Sequence, residues 1–315
     1  MANVSIYGAG QLGQGVARIL VRRDGHSVRG PFGRDQRTPA LTSGADLVLI
    51  ATTTRLRDVI DDVRLAVASG SNVLVSAEES ANPWLVNESL ADTVHDEALA
   101  AGVTVVGAGL NPGLIFDALV LTILGAAPDN VDITVQRTVD ISGFGPTVLG
   151  RIGVGISPEG FARGVATGDI LGHAGFPQSM SVVGRAIGRS ASTIDATLRP
   201  MVADHSITLT DGRTIDAGLT AGVDQTYRAI DQGHTWFTAQ FIGHVAPERA
   251  GLHLSDVITV HCGGEIVQEV RATPCFPSQS GSQHVLANSV DRVIAARPGW
   301  LTVADLPPAT RLRTA

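Results

Sequence analysis

Apolar residues follow two different rhythms along this chain. In the first third, short and almost wholly apolar runs at Val4 to Tyr7, Leu47 to Ala51, Asn72 to Ser76 and Val103 to Val106 alternate with helically spaced stretches at Gln11 to Arg22, Leu56 to Ala68 and Asn87 to Ala101. A weaker strand runs from Ser27 to Phe32. Such alternation predicts a parallel sheet covered by helices on both faces. Beyond Pro112 the pattern changes to a helix from Leu114 to Leu124, a strand from Val131 to Ile141, glycine-punctuated helices at Pro158 to Gly168 and Gln178 to Gly188, and strands around Ile207, Trp236, Val257 and Ile266. These predict a mainly antiparallel sheet with helices on one side. A last helix, Val285 to Ala296, precedes ARPGWLTVADLPP, whose prolines suggest a tail laid over the surface. The expected fold is an α/β domain of residues 1–112 with 285–315, followed by an α+β domain of residues 113–284 for substrate binding and oligomerisation.

Composition narrows the chemistry. With 30 acidic residues against 23 basic ones the net charge is -7, so nothing draws the chain to nucleic acid or anionic lipid, and small molecules or other subunits are the expected partners. The opening MANVSIYGAG enters a strand without a charged leader, and the longest apolar run, Ala118 to Pro128, falls short of the ~20 residues a membrane helix needs, so a cytoplasmic protein is expected. Two cysteines, Cys262 and Cys275, form no framework and read as reduced thiols. Every one of the 23 basic residues is arginine. Schiff-base, pyridoxal-phosphate and P-loop chemistries need a lysine ammonium, so those classes are excluded. Nine histidines show no paired ligand spacing, and no metal site is expected.

Between the first strand and first helix stands GAGQLG: Gly8 for a tight turn, Gly10 for backbone approach to a pyrophosphate, Gln11 and Leu12 opening the helix, and Gly13 for close packing. In this strand–turn–helix context the motif predicts a Rossmann-type dinucleotide site. About 20 residues on, where an acid would select NAD(H), the chain reads GPFGRDQR. Arg34, with Arg37 behind it, favours NADP(H) over NAD(H), although Asp35 complicates the reading and the arginines could simply solvate a loop. Thr52 and Thr53 follow the third strand, Glu78 and Glu79 the fourth, and Asn111 and Pro112 the fifth, all at the sheet edge where open α/β folds bind ligands. Individually these are ordinary helix-start or turn residues. His173, in GHAGFPQS, lines a pocket or, as lone histidines more often do, braces its loop.

Several of these segments resemble one family. NVLVSAEESANPW, VVGAGLNPGLIFD, ISPEGF, GHAGFPQS and ARPGWLTVADLP are similar to landmarks of the 2,4-diaminopentanoate dehydrogenases and native amine dehydrogenases, which share an architecture with dihydrodipicolinate reductase. The resemblance implies NAD(P)H-dependent interconversion of a primary amine with a ketone or aldehyde plus ammonia through an imine, in a homodimer. It places the residue that meets the amine on Glu79, with Glu78 as alternative, Asn111 beside the nicotinamide, and Phe116, Arg137, Asp140 and His173 on the substrate side. Two departures concern the substrate: ISGFGPT after Asp140, where basic residues are common, and Asp224 in place of a histidine. Dihydrodipicolinate reductases use a lysine that this chain lacks. A reductase of preformed imines and a non-catalytic NADP(H)-binding protein remain alternatives.

Overall fold

A computed structural model describes residues 1–209 and 211–308. Along the chain run β1 (Ala2–Tyr7), α1 (Gln11–Val21), β2 (His26–Phe32), α2 (Arg37–Leu41), β3 (Leu47–Ile50), α3 (Ile60–Ala68), β4 (Asn72–Val75), α4 (Glu88–Ala101), β5 (Thr104–Gly107) and α5 (Ala118–Leu124). The middle of the chain adds β6 (Asp132–Asp140), α6 (Pro146–Ile152), α7 (Pro158–Thr167), α8 (Phe176–Ile187), β7 (Thr193–Val202), the short β8 (Ile207–Thr208) and β9 (Thr214–Ile215), and the long β10 (Thr220–Asp231) and β11 (His234–His244). Then come β12 (Ser255–Cys262), β13 (Glu265–Ala272), α9 (Ser278–Ile294) and β14 (Gly299–Leu301).

The chain divides into two compact units. The first comprises Met1–Gly125, Gly175–Arg189 and Pro277–Ala315, the second Ala126–Ala174 and Ser190–Phe276. The expected boundaries are therefore corrected: α5, α8 and residues 277–284 belong with the first unit. Phe116 and Phe176 explain part of this, packing edge-to-face with ring centroids 5.0 Å apart. Residues 309–315 of the expected first domain lie outside the described residues.

The first unit's sheet is parallel throughout, in the order β14-β5-β4-β3-β1-β2. Its inner strands β3 and β4 are almost wholly apolar because both faces are covered, whereas the edge strand β2 has no buried residue. Leu47 and Leu49 turn to the side of α1 and α9, while Val48 and Ile50 turn to that of α3 and α4. On the second side α4 is pinned at both ends, by the Asn87 side chain accepting from the Leu90 N–H at 3.1 Å and by Gly102 in the left-handed region at φ 68°. Contrary to the surface tail expected from its prolines, ARPGWLTVADL contributes β14, and Trp300 and Leu301 are fully buried on opposite faces of the sheet. Three residues are too short a strand to announce themselves by period.

The second unit's sheet has the order β13-β12-β6-β11-β10-β7. It is antiparallel except where β6 and β11 run parallel. On one face, between β6 and β12, lies a buried ion pair: Arg137 Nη1 donates to Asp256 Oδ1 and Oδ2 at 2.6 and 2.7 Å, and Nη2 donates to the Phe276 carbonyl at 2.8 Å. Both side chains are 3% exposed or less. Removing one partner from such a pair strands the other charge away from water. Asp256→Asn should therefore lower the unfolding free energy by roughly 3 kcal/mol. Arg271→Ala, breaking the exposed Arg271–Glu269 pair, should cost at most about 0.5 kcal/mol. Denaturant titration of the two variants checks the contrast.

Candidate active site at the carboxyl edge of the parallel sheet

Register brings the strand ends together. Tyr7 pairs with Ile50, Ile50 with Val75, and Val75 with Gly107, so the loops after β1, β3, β4 and β5 leave one edge as neighbours. Three glycines let the first of them lie close. A side chain at Gly8, whose φ is 133°, would overlap the Ala51 carbonyl, and one at Gly13 would overlap the Gly8 carbonyl. One at Gly10 meets nothing within 4 Å, so the turn opens there at the start of α1. Gln11 is exposed and accepts a 3.1 Å hydrogen bond from Gln279 of α9, while Leu12 is half-buried against the core.

After β2, Arg34 is exposed and has no ion-pair partner among the described residues. Arg37 differs, because its Nε donates to Asp62 Oδ1 at 2.5 Å. After β3, Thr52 is exposed and Thr53 half-buried. This loop is tied to the one after β4 by Glu79, whose N–H donates to the Thr54 carbonyl at 3.3 Å and whose Oε2 accepts from the Leu56 N–H at 2.7 Å. Glu79 thus terminates a helical turn belonging to another strand's loop. Glu78 is placed differently. A methyl built at Gly175, where φ is 100°, would stand 3.4 Å from the Glu78 Cβ and 2.5 Å from the Pro112 Cδ, so Glu78 and the Asn111–Pro112 junction flank the same glycine. A side chain at Gly107 would overlap the backbone of Ser80 and Ala81, which explains how the glutamate turn lies so near the end of β5.

Asn111 and Pro112 are joined by a cis peptide. Both the Asn111 Oδ1 and Nδ2 are buried with no hydrogen-bond partner among the described residues. An orphaned buried amide is costly unless something outside the chain completes it. The loop is held from behind by Asp117, which sequence reasoning missed although it closes the GLNPGLIFD run. Asp117 is fully buried, and its carboxylate accepts from the Gly113 N–H at 2.8 Å, the Ala118 N–H at 2.8 Å and the Ser179 hydroxyl at 2.9 Å. Burial raises its pKa, against the lowering by these hydrogen bonds. Phe116, expected to line a pocket, is 0% exposed and packs on Phe176 behind the loop.

The remaining candidates form a separate group within the second unit. His173 donates from Nδ1 to the Ala174 carbonyl at 2.7 Å, which leaves the lone pair on Nε2, and its N–H donates to Gln225 Oε1 at 2.7 Å. Burial, with the positive charges of Arg137 and Arg151 adding to it, lowers its pKa to about 4, so at neutral pH the ring is uncharged. Its ring also packs on Phe241 at 4.9 Å. Asp140 is exposed and accepts from the Ser142 N–H at 2.7 Å, closing the turn after β6, while Asp224 accepts from Gln240 at 2.8 Å. Gln225 and Asp256, which fix His173 and Arg137, carry no local sequence signal. Among the described residues no three His, Cys, Asp or Glu side chains gather as a metal site would require.

The residues fit a nicotinamide dinucleotide: an open glycine at the helix start for the phosphates, and an unsatisfied amide on the same sheet edge for a polar ring substituent. Comparison with known proteins agrees on the family. Residues 114–314 match the model of the 2,4-diaminopentanoate dehydrogenase C-terminal domain. The 2,4-diaminopentanoate dehydrogenase of Acetoanaerobium sticklandii is 30% identical over 96% of this chain and 93% of its own length. In fold the chain is similar to an amine dehydrogenase from Mycobacterium smegmatis, with a TM-score of 0.83 at 20% identity over 100% of this chain and 98% of that one. It is more distantly similar to a biliverdin reductase from Synechocystis determined with biliverdin and NADP+, with a TM-score of 0.53 at 11% identity over 96% and 94%. By the family match and the full-length relative, the chain belongs to the 2,4-diaminopentanoate dehydrogenase family.

Proposed function

We propose that the protein is a nicotinamide-dependent amine dehydrogenase, interconverting a primary amine with a ketone or aldehyde plus ammonia through an imine. The observation that carries this reading is the Asn111 amide, buried with no hydrogen-bond partner among the described residues, at a junction where Pro112 and the Glu78 Cβ flank Gly175. The family relative's activity supports it. The cofactor supplies or accepts the hydride at the substrate carbon. Glu78 then has three tasks: its charge stabilises an iminium cation, it takes a proton from ammonium so that neutral ammonia attacks the carbonyl, and it orients the amine in the reverse direction. Asn111 holds the ring by its carboxamide. Glu79, expected from the family landmarks to meet the amine, becomes in this reading a positioning residue, because its carboxylate already caps the turn at Leu56. Arg137, ion-paired with Asp256, and His173, whose ring is uncharged at neutral pH, belong to the second unit, and the family resemblance is what supports them as substrate residues.

The reading includes a cytoplasmic location, supported by two unpaired thiols, and no nucleic-acid or membrane partner, supported by the net charge of -7. Among the described residues no helix is long and apolar enough to cross a membrane. It also includes a homodimer, supported by the edge strand β13, where Ile266, Val267 and Val270 are 61%, 46% and 39% exposed.

Incubation with NADPH, ammonium and a panel of aldehydes and ketones should form amines. Reduction only of supplied imines would make the protein an imine reductase, and binding without turnover a non-catalytic NADP(H) protein. Glu78→Gln should lower turnover at least ~100-fold with cofactor affinity kept. Glu79→Gln should act mainly on stability, by about 1 kcal/mol, and on cofactor affinity through the loop it caps. A reversed pattern moves the catalytic role to Glu79. NADPH should bind more tightly than NADH, and Arg34→Ala should reduce the difference; equal dissociation constants in the unsubstituted protein contradict the preference. Light scattering should give a mass near twice 32.6 kDa.

A further inference from the structure

The end of β2 carries a balanced set of charges. Arg37, at the start of α2, is held by Asp62 from the first turn of α3, with the Arg37 side chain 41% exposed and that of Asp62 only 10%. The contact uses Nε alone. Neither Nη group has a partner among the described residues. Tyr7, the last residue of β1 before Gly8, lies in the same field: burial raises its pKa, Asp62 raises it further, and Arg37 and Arg34 oppose. Arg34 and Arg37 contribute two positive charges, Asp35 and Asp62 two negative ones, and the four cancel.

A site distinguishes a phosphate monoester from a hydroxyl chiefly by charge, since the dianion gains from every uncompensated cation near it. We propose that Asp62 is a specificity-determining residue: it orients Arg37 through Nε while its carboxylate offsets the guanidinium charge, which limits how strongly the protein prefers a nicotinamide cofactor with a 2′-phosphate over one with a 2′-hydroxyl. The proposal rests on the cofactor reading above. It differs from a bracing role of Asp62 between α2 and α3, which would change stability and leave selectivity alone.

Asp62→Asn separates orientation from charge. The amide oxygen still accepts from Nε in nearly the same shape, and only the negative charge is removed. Dissociation constants for NADPH and NADH, read from quenching of tryptophan fluorescence, should then show an NADPH-to-NADH selectivity raised roughly fivefold or more at ~50 mM salt, with the NADH constant almost unchanged, and the gain should shrink as salt approaches ~0.5 M. Unchanged or reduced selectivity overturns the proposal. If circular dichroism shows that Asp62→Asn does not fold, Arg37→Gln is read instead. Leaving the Asp62 charge unopposed should lower selectivity at least roughly fivefold, and no change overturns the proposal. An unsubstituted protein that binds neither cofactor overturns the cofactor reading and this proposal together, whereas normal NADPH binding with no response to Asp62→Asn overturns this proposal alone.

Discussion

A parallel sheet buried on both faces leaves little room for polar chemistry along its strands, and its buried Ser5 and Thr104 hydroxyls are spent on backbone carbonyls. Leu47 to Ile50 and Val73 to Val75 are spent on packing above and below, and a polar substitution at any of them would lose its hydrogen bonds to water. The first position free of that constraint in each strand is the residue after its last ladder bond. Because Tyr7, Ile50, Val75 and Gly107 stand in register, those free positions are neighbours across four strands. The glycine turn, the threonines, the glutamates and the asparagine are gathered by this arithmetic and need no long-range coincidence to meet.

What the edge does with them depends on smaller contacts. Glu79 ties the loop after β4 to the loop after β3 by one hydrogen bond from its N–H and one to its carboxylate, and Asp117 ties the Asn-Pro-Gly loop to α5 and α8 by three. These carboxylates are occupied by N–H and O–H donors of the chain. The Glu78 Cβ and Pro112 lie on either side of Gly175, and the Asn111 amide is buried with no hydrogen-bond partner among the described residues. Of the two adjacent acids, Glu79 shapes the loops, and the proposed function gives the chemistry to Glu78.

Much of this arrangement was legible in the sequence. The long periodic segments, the glycine motif between β1 and α1, and the polar residues at three strand ends all follow from local patterns, and local patterns survive folding when both faces of a sheet are covered. The unread parts have physical reasons. The duties of Glu78 and Glu79 are not separable in the sequence because both lie in a 3-10 turn, where the alternation of a strand no longer says which way a side chain points. β14 was missed because three residues carry no period. Asp256 and Gln225 act on residues 119 and 52 positions away, and Asp62 on one 25 away, so only tertiary structure reveals the pairs.

The central claim is that the carboxyl edge of the parallel sheet joins hydride transfer to carbon–nitrogen bond exchange. It is tested most directly by supplying a ketone with NADPH deuterated at the nicotinamide C4 and with nitrogen-15 ammonium, and analysing the product by mass spectrometry. The account predicts an amine carrying deuterium on the former carbonyl carbon and nitrogen-15 in the same molecule. A deuterated alcohol without nitrogen, or unchanged ketone with NADPH bound, would contradict it.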